Sequence, residues 1–376
     1  MMKKYPWYLK VTVILVGLIA FTFILSELRD ILVPLSFALF LGILLNPLVA
    51  LLEGWKIPKT WAIIISLLAG ILVIAGVGYF LSMEMSSFTS QLPVFKQKMT
   101  EFVSRTQQML SQKLHIPIQK QSQFMDQAQA GMKPLIGRAL GSVVGSLAVI
   151  FLLPVYTFLF LYYKMLILDF LYDIFSEENL KDVSAVLKQV KTAIQSYMFG
   201  LLLEGLIVAT LNTTALLLLG VKYAVLLGVL GAILNVLPFI GGILAIIPPL
   251  LIATITKDGI HTQVGITISY IVIQFVDNHF LVPYIVSSKV KINALISIVI
   301  VLLGGAVWGV SGMFLSIPFI GVLKIIFDRV PELKPWGKLL GDEVPIFHKG
   351  QLRLKRQIQR ILPKSKASKT AGAKAS

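Results

Sequence analysis

The sequence predicts an all-α polytopic membrane protein with about eight transmembrane spans, one of them broken or re-entrant, plus amphipathic helices outside the membrane. Three observations carry this. The 376-residue chain is 56% hydrophobic and only 14% charged, whereas a soluble domain carries about a quarter charged residues. Its mean hydropathy is +0.84. Apolar runs of roughly 20 residues, enough to cross a ~30 Å hydrocarbon core, recur along most of the chain. Uninterrupted runs of this kind are helices, not the alternating strands of an outer-membrane barrel.

Taken in order, residues 1–83 hold three runs, Leu9–Leu25, Ile31–Leu52 and Thr60–Ser82. The first follows Lys3, Lys4 and Lys10 and lacks a small-residue cleavage site after it, so it reads as a retained span. Residues 84–135 form a polar insertion with Phe88, Leu92, Phe95, Met99, Phe102 and Leu110 at helical spacing. A helix packed on the bundle or a neighbouring subunit is the favoured reading, a lid over a pathway the rival. Residues 136–163 hold a fourth span, Ala139–Tyr163; within it Gly137, Gly141 and Gly145 in "GRALGSVVG" form a close-packing stripe. Residues 164–199 are polar again, with Asp169, Asp173, Glu177 and Glu178, and suit cytoplasmic amphipathic helices.

Residues 200–330 carry the runs Gly200–Gly220, Tyr223–Ile255, Ile260–Val282 and Ala294–Phe327, read as a transport core. Residues 331–376 are a basic tail. Leu354, Ile358, Ile361 and Leu362 fall on one helical face there, with Arg353, Arg356 and Arg360 opposite, which suits an anionic lipid surface. Lysines at the N-terminus, Lys56 and Lys59 after the second run, and the basic tail place both termini in the cytoplasm. That requires an even number of crossings. Eight fit if Tyr223–Ile255 crosses once as a broken helix. A re-entrant hairpin there leaves an odd number unless another segment, such as Ala294–Phe327, also folds back.

Several function classes drop out. The chain has no cysteine and four histidines without metal-site spacing, so no metal or other cofactor is expected. Neither GxSxG nor HExxH occurs, and the acids lack a catalytic partner, so an enzyme is not expected. The net charge of +16 sits largely after Lys324 without a base-reading module, which argues against nucleic acid.

Inside a bilayer the polar residues are the costly ones and the first suspects. These are Glu204, Asn235, Gln274, Asp277 and Asn278, with His279, Asn212 and Asn46 as lesser candidates. Asn212 reads better as glue between helices, and Asn46 before Pro47 as a partner for a kinked backbone. The stretch "ILNVLPFIGGILAIIPP" places Pro238, Gly241 and Gly242 just after Asn235, which predicts true unwinding and not a simple kink. "PFIG" recurs at Pro318–Gly321, after Gly304, Gly305 and Gly309, as a second interruption. Irregular backbone at membrane depth belongs where protein or a water-filled cavity surrounds it, and transporters use it to aim carbonyls and helix ends at cargo. A site between Asn235–Gly242 and Asp277–Asn278 is therefore expected.

"NVLPFIGG", "QFVDNHFLVPYIVSSKVKINAL" and "LLGGAVWGVSGMFLSIPFIGVLKII" together resemble the C-terminal signature of the AI-2E family of bacterial transporters. "KINAL" departs from that pattern where a proline is expected. The resemblance implies a multi-pass inner-membrane protein assembled as a homo-oligomer. It implies export of autoinducer-2 or exchange of sodium or lithium for protons. A small polyhydroxylated solute suits Asn235, Gln274, Asn278 and the carbonyls freed near Pro238; cation–proton exchange suits Asp277, with Glu204 second. A scaffold or receptor working through residues 84–135 and the tail is the reading from another class.

Overall fold

The computed structural model describes residues 6–90, 92–114, 151–175, 180–257, 259–286 and 292–342, and these are helical with no strand among them. The glycine stripe at Gly137–Gly145 and the basic segment after residue 342 lie outside the described residues. Among the described residues six helices are long and apolar enough to cross a membrane, seven if a bent pair is counted as one span. The expected eight is not reached among them, because the run Tyr223–Ile255 forms two shorter helices.

The chain begins with α1 (Trp7–Glu27), α2 (Arg29–Gly54), α3 (Lys59–Ser90) and α4 (Leu92–Leu114). Helix α1 is apolar on every side and buries none of its spanning window, as befits a lipid-facing helix. A tight turn at Trp55–Pro58, with Lys56 at φ 65°, lays α3 back along α2. Val49 and Leu52 of α2 and Ala62 and Ile63 of α3 form a core together with Leu161 from further along the chain. The insertion helix α4 rests against the core helix α9 described below.

Next come α5 (Phe151–Tyr162) and α6 (Lys164–Ile174), bent by 60° at Tyr163. No residue of α6 is buried, and Met165, Leu166, Phe170 and Ile174 are all exposed. Lys164 Nζ donates to Asn46 Oδ1 at 3.0 Å. Asn46 thus serves the corner between α5 and α6.

Helix α7 (Leu180–Leu218) is 39 residues, about 58 Å at 1.5 Å per residue, and runs unbroken through residues 199 and 200. It leads into α8 (Ala224–Asn235) and α9 (Gly241–Thr256), of 12 and 16 residues. At roughly 18 and 24 Å, neither arm crosses a ~30 Å core alone. They fold against each other: a β-carbon at Gly231 would stand 3.6 Å from the side chain of Ala245, while a straight helix would set those residues about 21 Å apart. This is a re-entrant hairpin, hairpin 1. The single broken crossing expected for Tyr223–Ile255 is corrected accordingly. Its arms wedge between α7 and α10, in a core of Leu216, Val221, Ala224, Leu227, Ala245, Ile252, Ala253, Ile266 and Tyr270.

Helix α10 (His261–Val276) continues as a π-helical stretch, Asp277–Val286, around Pro283. Helix α11 (Ala294–Arg329) is also folded in two. Gly309 adopts φ 61°, ψ −141°, and Ser316 Oγ reaches back to donate to the carbonyl of Ile300 at 3.0 Å. The chain closes with α12 (Lys334–Leu340). Both segments that the even-number argument named therefore fold back, which keeps that argument consistent with fewer crossings. The two hairpins enter from opposite ends. Asn293 N donates to Leu340 O at 2.9 Å and Arg329 lies 3.7 Å from Asp182, so hairpin 2 opens beside α12 and the start of α7. Hairpin 1 opens at the other end, where Phe88 meets Tyr223 edge-on at 5.3 Å. These are the tail end and the insertion end of the bundle.

Candidate functional site

Asn235 closes α8 because the residues after it cannot continue a helix. Pro238 lacks an N–H, and Phe239 sits at φ 66°, a left-handed conformation that costs a non-glycine residue about 1–3 kcal/mol. The turn is tight enough that a side chain on Gly241 would strike the Leu234 carbonyl and the Asn235 backbone. A side chain on Gly242 would strike the amide of Gln274. The paired glycines thus set how closely the tip of hairpin 1 approaches α10. Proline and glycine here build a turn and a contact surface, beyond freeing the backbone.

Beneath that tip lies a cavity of about 1040 Å³. Its polar wall comes from Glu204 on α7, Asn235 at the tip, and Gln274, Asp277 and Asn278 on α10 and its π continuation. Pro238, Phe239 and Gly242 roof it, and Pro318 and Gly321 on the return arm of hairpin 2 face them. Both "PFIG" segments therefore border one space, although only the first forms a hairpin tip. From there the lining runs to Ala193, Ile292 and Asp342, toward the tail end.

The centre is a carboxyl pair. Asp277 is 2% and Glu204 6% exposed. Asp277 Oδ2 accepts from Asn235 Nδ2 at 2.8 Å and from Gln274 Nε2 at 3.1 Å, while its Oδ1 has no partner among the side-chain amides and hydroxyls. The carboxyl group of Glu204 adjoins it within hydrogen-bond reach. Two carboxylates a few ångströms apart in apolar surroundings repel by about 4 kcal/mol even at an effective dielectric of 20. One positive species between them, a shared proton or a bound cation, resolves that repulsion.

Nine of the expected residues meet here: Glu204, Asn235, Pro238, Gly242, Gln274, Asp277, Asn278, Pro318 and Gly321. Gly241, Gly304, Gly305 and Gly309 stand outside the lining. Gly304 packs on the backbone of Gly312 and the hydroxyl of Ser316, Gly305 packs on Met313, and Gly309 makes the tip of hairpin 2. They hold its arms together. His279 is exposed, stacks on Phe275 and pairs its Nδ1 with the Phe275 carbonyl at 3.0 Å. Among the described residues no three histidine or acidic side chains gather as a metal site. Tyr197, Tyr270 and Asp342 line the cavity without having been singled out from sequence. For Tyr270 the signal was its spacing, one and two turns before Gln274 and Asp277 on one helical face.

Comparison with known proteins follows the same outline. The family model described as AI-2E family transporter matches residues 11–332. The AI-2 transport protein TqsA of Escherichia coli strain K12 is 24% identical over 83% of this chain and 90% of its own. YhhT of the same strain is 26% identical over 84% of this chain and 89% of its own. YrrI of Bacillus subtilis strain 168 is 24% identical over 80% and 86%.

Proposed function

The chain belongs to the AI-2E transporter family, and from that premise we propose that it exports a small polar solute, chemically like autoinducer-2, through the cavity under hairpin 1. The observation that carries this reading is the cavity's composition. A space of about 1040 Å³ is lined mainly by apolar side chains, with Asn235, Gln274 and Asn278 set around one acidic pair. Neutral amides and carbonyls match the hydroxyls of such a solute, and the volume suits a small ligand with its hydration. In this reading the lysine-bearing loop at Lys56–Lys59 and the basic tail support a cytoplasmic tail end in a bacterial inner membrane, with the cavity facing the cell interior. Assembly as a homo-oligomer belongs to this reading.

The Glu204–Asp277 pair favours a second reading, exchange of sodium or lithium for protons, because a buried carboxylate that alternates between a proton and a metal ion sits at the heart of such exchange.

The test uses purified protein in sealed vesicles preloaded with unlabelled autoinducer-2, with labelled autoinducer-2 outside and no ion gradient. Wild type is expected to accumulate label transiently by exchange, and Asn278→Leu to lose at least tenfold in rate. Absence of exchange, together with dye-reported proton movement on adding sodium or lithium, replaces the first reading with the second. In either reading Asp277→Asn, in protein that inserts and assembles, abolishes transport. Wild-type flux in that variant removes the site.

A further inference from the structure

Lysines from three segments gather at the tail end. Helix α2 ends there, since its Phe37 and Phe40 meet Phe314 and Phe319 on the return arm of hairpin 2, which runs from Gly309 to Arg329. The start of α3 brings Lys59, the corner between α5 and α6 brings Lys164, and α7 brings Lys191. Two of the three are held in place. Lys59 Nζ donates to the Tyr162 carbonyl at 2.7 Å and stands 5.5 Å from the centre of the Tyr162 ring, while Lys164 Nζ is fixed by Asn46. Lys164 feels the like charges of Lys191 and Lys59, with Glu53 as the opposing acid. Among the described residues none of the three lysines has an acidic partner at salt-bridge distance. Holding like charges side by side costs free energy, and an anion between them recovers it.

The surroundings fix the level of this corner in the membrane. Trp55, Trp61, Tyr162 and Tyr163 are all exposed around it, and Trp and Tyr concentrate at the boundary between hydrocarbon and water. Beyond the corner α6 turns 60° away from α5 with no buried residue. Its Leu166, Phe170 and Ile174, four residues apart, share one exposed apolar face, as in a helix lying along the headgroup boundary. On the membrane side, α3 and α5 pack through Ile63 and Leu161. They leave Ile65, Leu68, Val155 and Leu159 exposed below the lysines.

We propose that this corner binds one anionic membrane lipid, with its phosphate between Lys59, Lys164 and Lys191 and its acyl chains laid on α3 and α5. Basic pockets between membrane helices take such headgroups. Free phosphate carries the same charge, but the exposed aromatic rim and the apolar surface beneath it match a lipid. The bound headgroup joins the start of α3 and the α5–α6 corner to α7, two residues before Ala193, which lines the cavity. None of the three lysines lines the cavity itself, so the site is distinct from the one under hairpin 1.

The chain has no cysteine, so one introduced thiol carries a fluorophore to one place. Thr60→Cys puts it beside Lys59, and Tyr79→Cys puts it about 28 Å further along α3, toward the insertion end. Each labelled full-length chain is reconstituted in phosphatidylcholine vesicles and titrated with nitroxide-bearing phosphatidylglycerol or phosphatidylcholine. At residue 60 the anionic lipid is expected to reach half-maximal quenching at a mole fraction about tenfold lower than the neutral one. At residue 79 the two should quench alike. Lys164→Gln combined with Lys191→Gln removes the preference, and Lys164→Arg combined with Lys191→Arg keeps it. Equal quenching at residue 60 with all three lysines present, or the same preference at residue 79, overturns the site. So does a preference that survives both glutamines, which places it in the basic tail, or one lost in the arginine pair. Inorganic phosphate that abolishes the preference where chloride of equal ionic strength does not assigns the corner to the free anion and overturns the lipid.

Discussion

Replacing Gly242 by alanine tests the site more sharply than removing a carboxylate, because two effects of opposite sign meet at one methyl group. Gly242 lies in the first turn of α9, where helix propensity alone favours alanine by up to about 1 kcal/mol. The added β-carbon falls on the side-chain amide of Gln274. That amide donates to Asp277 Oδ2 at 3.1 Å, a hydrogen bond to an acidic group worth about 1.5–3 kcal/mol. The amide is the end of a flexible side chain, so it gives way before the backbone does. Expected, then, are a thermal midpoint within a few degrees of wild type and a transport rate lower by about tenfold to a hundredfold.

The control is a double-mutant cycle. Gln274→Ala removes both the hydrogen bond and the obstacle. Gly242→Ala in that background therefore has nothing left to displace, and the double variant should transport as Gln274→Ala does. Rates measured by exchange of labelled autoinducer-2, or by dye-reported proton flux if cations prove to be the cargo, settle the cycle. Additive losses, or a Gly242→Ala variant that transports normally, refute the claim that this glycine acts through Gln274.

Three further outcomes follow from the hairpins. Gly309→Ala forces a side chain into φ 61°, ψ −141°, a region essentially reserved for glycine, and should cost about 2 kcal/mol or more, read as a lower thermal midpoint in detergent. Trp308→Phe keeps the ring but loses the indole N–H donated to the Leu25 carbonyl at 2.8 Å; about 1 kcal/mol and easier proteolysis at the tip of hairpin 2 are expected. Gly228→Ala drives a methyl group into the backbone of Thr213 on α7, and overpacking of about 1–3 kcal/mol should show as poor assembly and not as a selective loss of flux.

The fold was legible wherever burial in lipid dictates it. Uninterrupted apolar length specifies a helix because no other open structure satisfies its backbone in hydrocarbon, so α1, α2 and α3 follow from composition alone. The hairpins were harder because length is ambiguous at about 33 residues: one tilted crossing and two short arms bury similar apolar surface. What decides is close approach between arms. Gly228 against Thr213 and Gly231 against Ala245 mark it in hairpin 1, Gly304 against Gly312 in hairpin 2. Those glycines were visible as letters, but their partners lie across the fold. The second interruption, expected over Gly304, Gly305, Gly309 and the repeated "PFIG", turns at Gly309, and the "PFIG" follows nine residues later on the return arm.

The site was legible for a different reason, the high cost of polarity at depth. Glu204, Asn235, Gln274 and Asp277 stand out against aliphatic neighbours and converge on one cavity. Tyr270 did not stand out, since an aromatic ring at helical spacing reads as core, and its body does pack in the core with Leu216 and Ile266. Only its hydroxyl betrays it, buried with no partner beside Gly231 and Asn212. Cost also explains the arrangement. Each polar atom removed from water here is costly, and Asp277 Oδ2 finds two amides while Oδ1 accepts from no side-chain amide or hydroxyl. An apolar core would have held these helices together at less cost, so the carboxyl pair adds to the bundle a dependence on what positive species it holds, and stability is not its rationale.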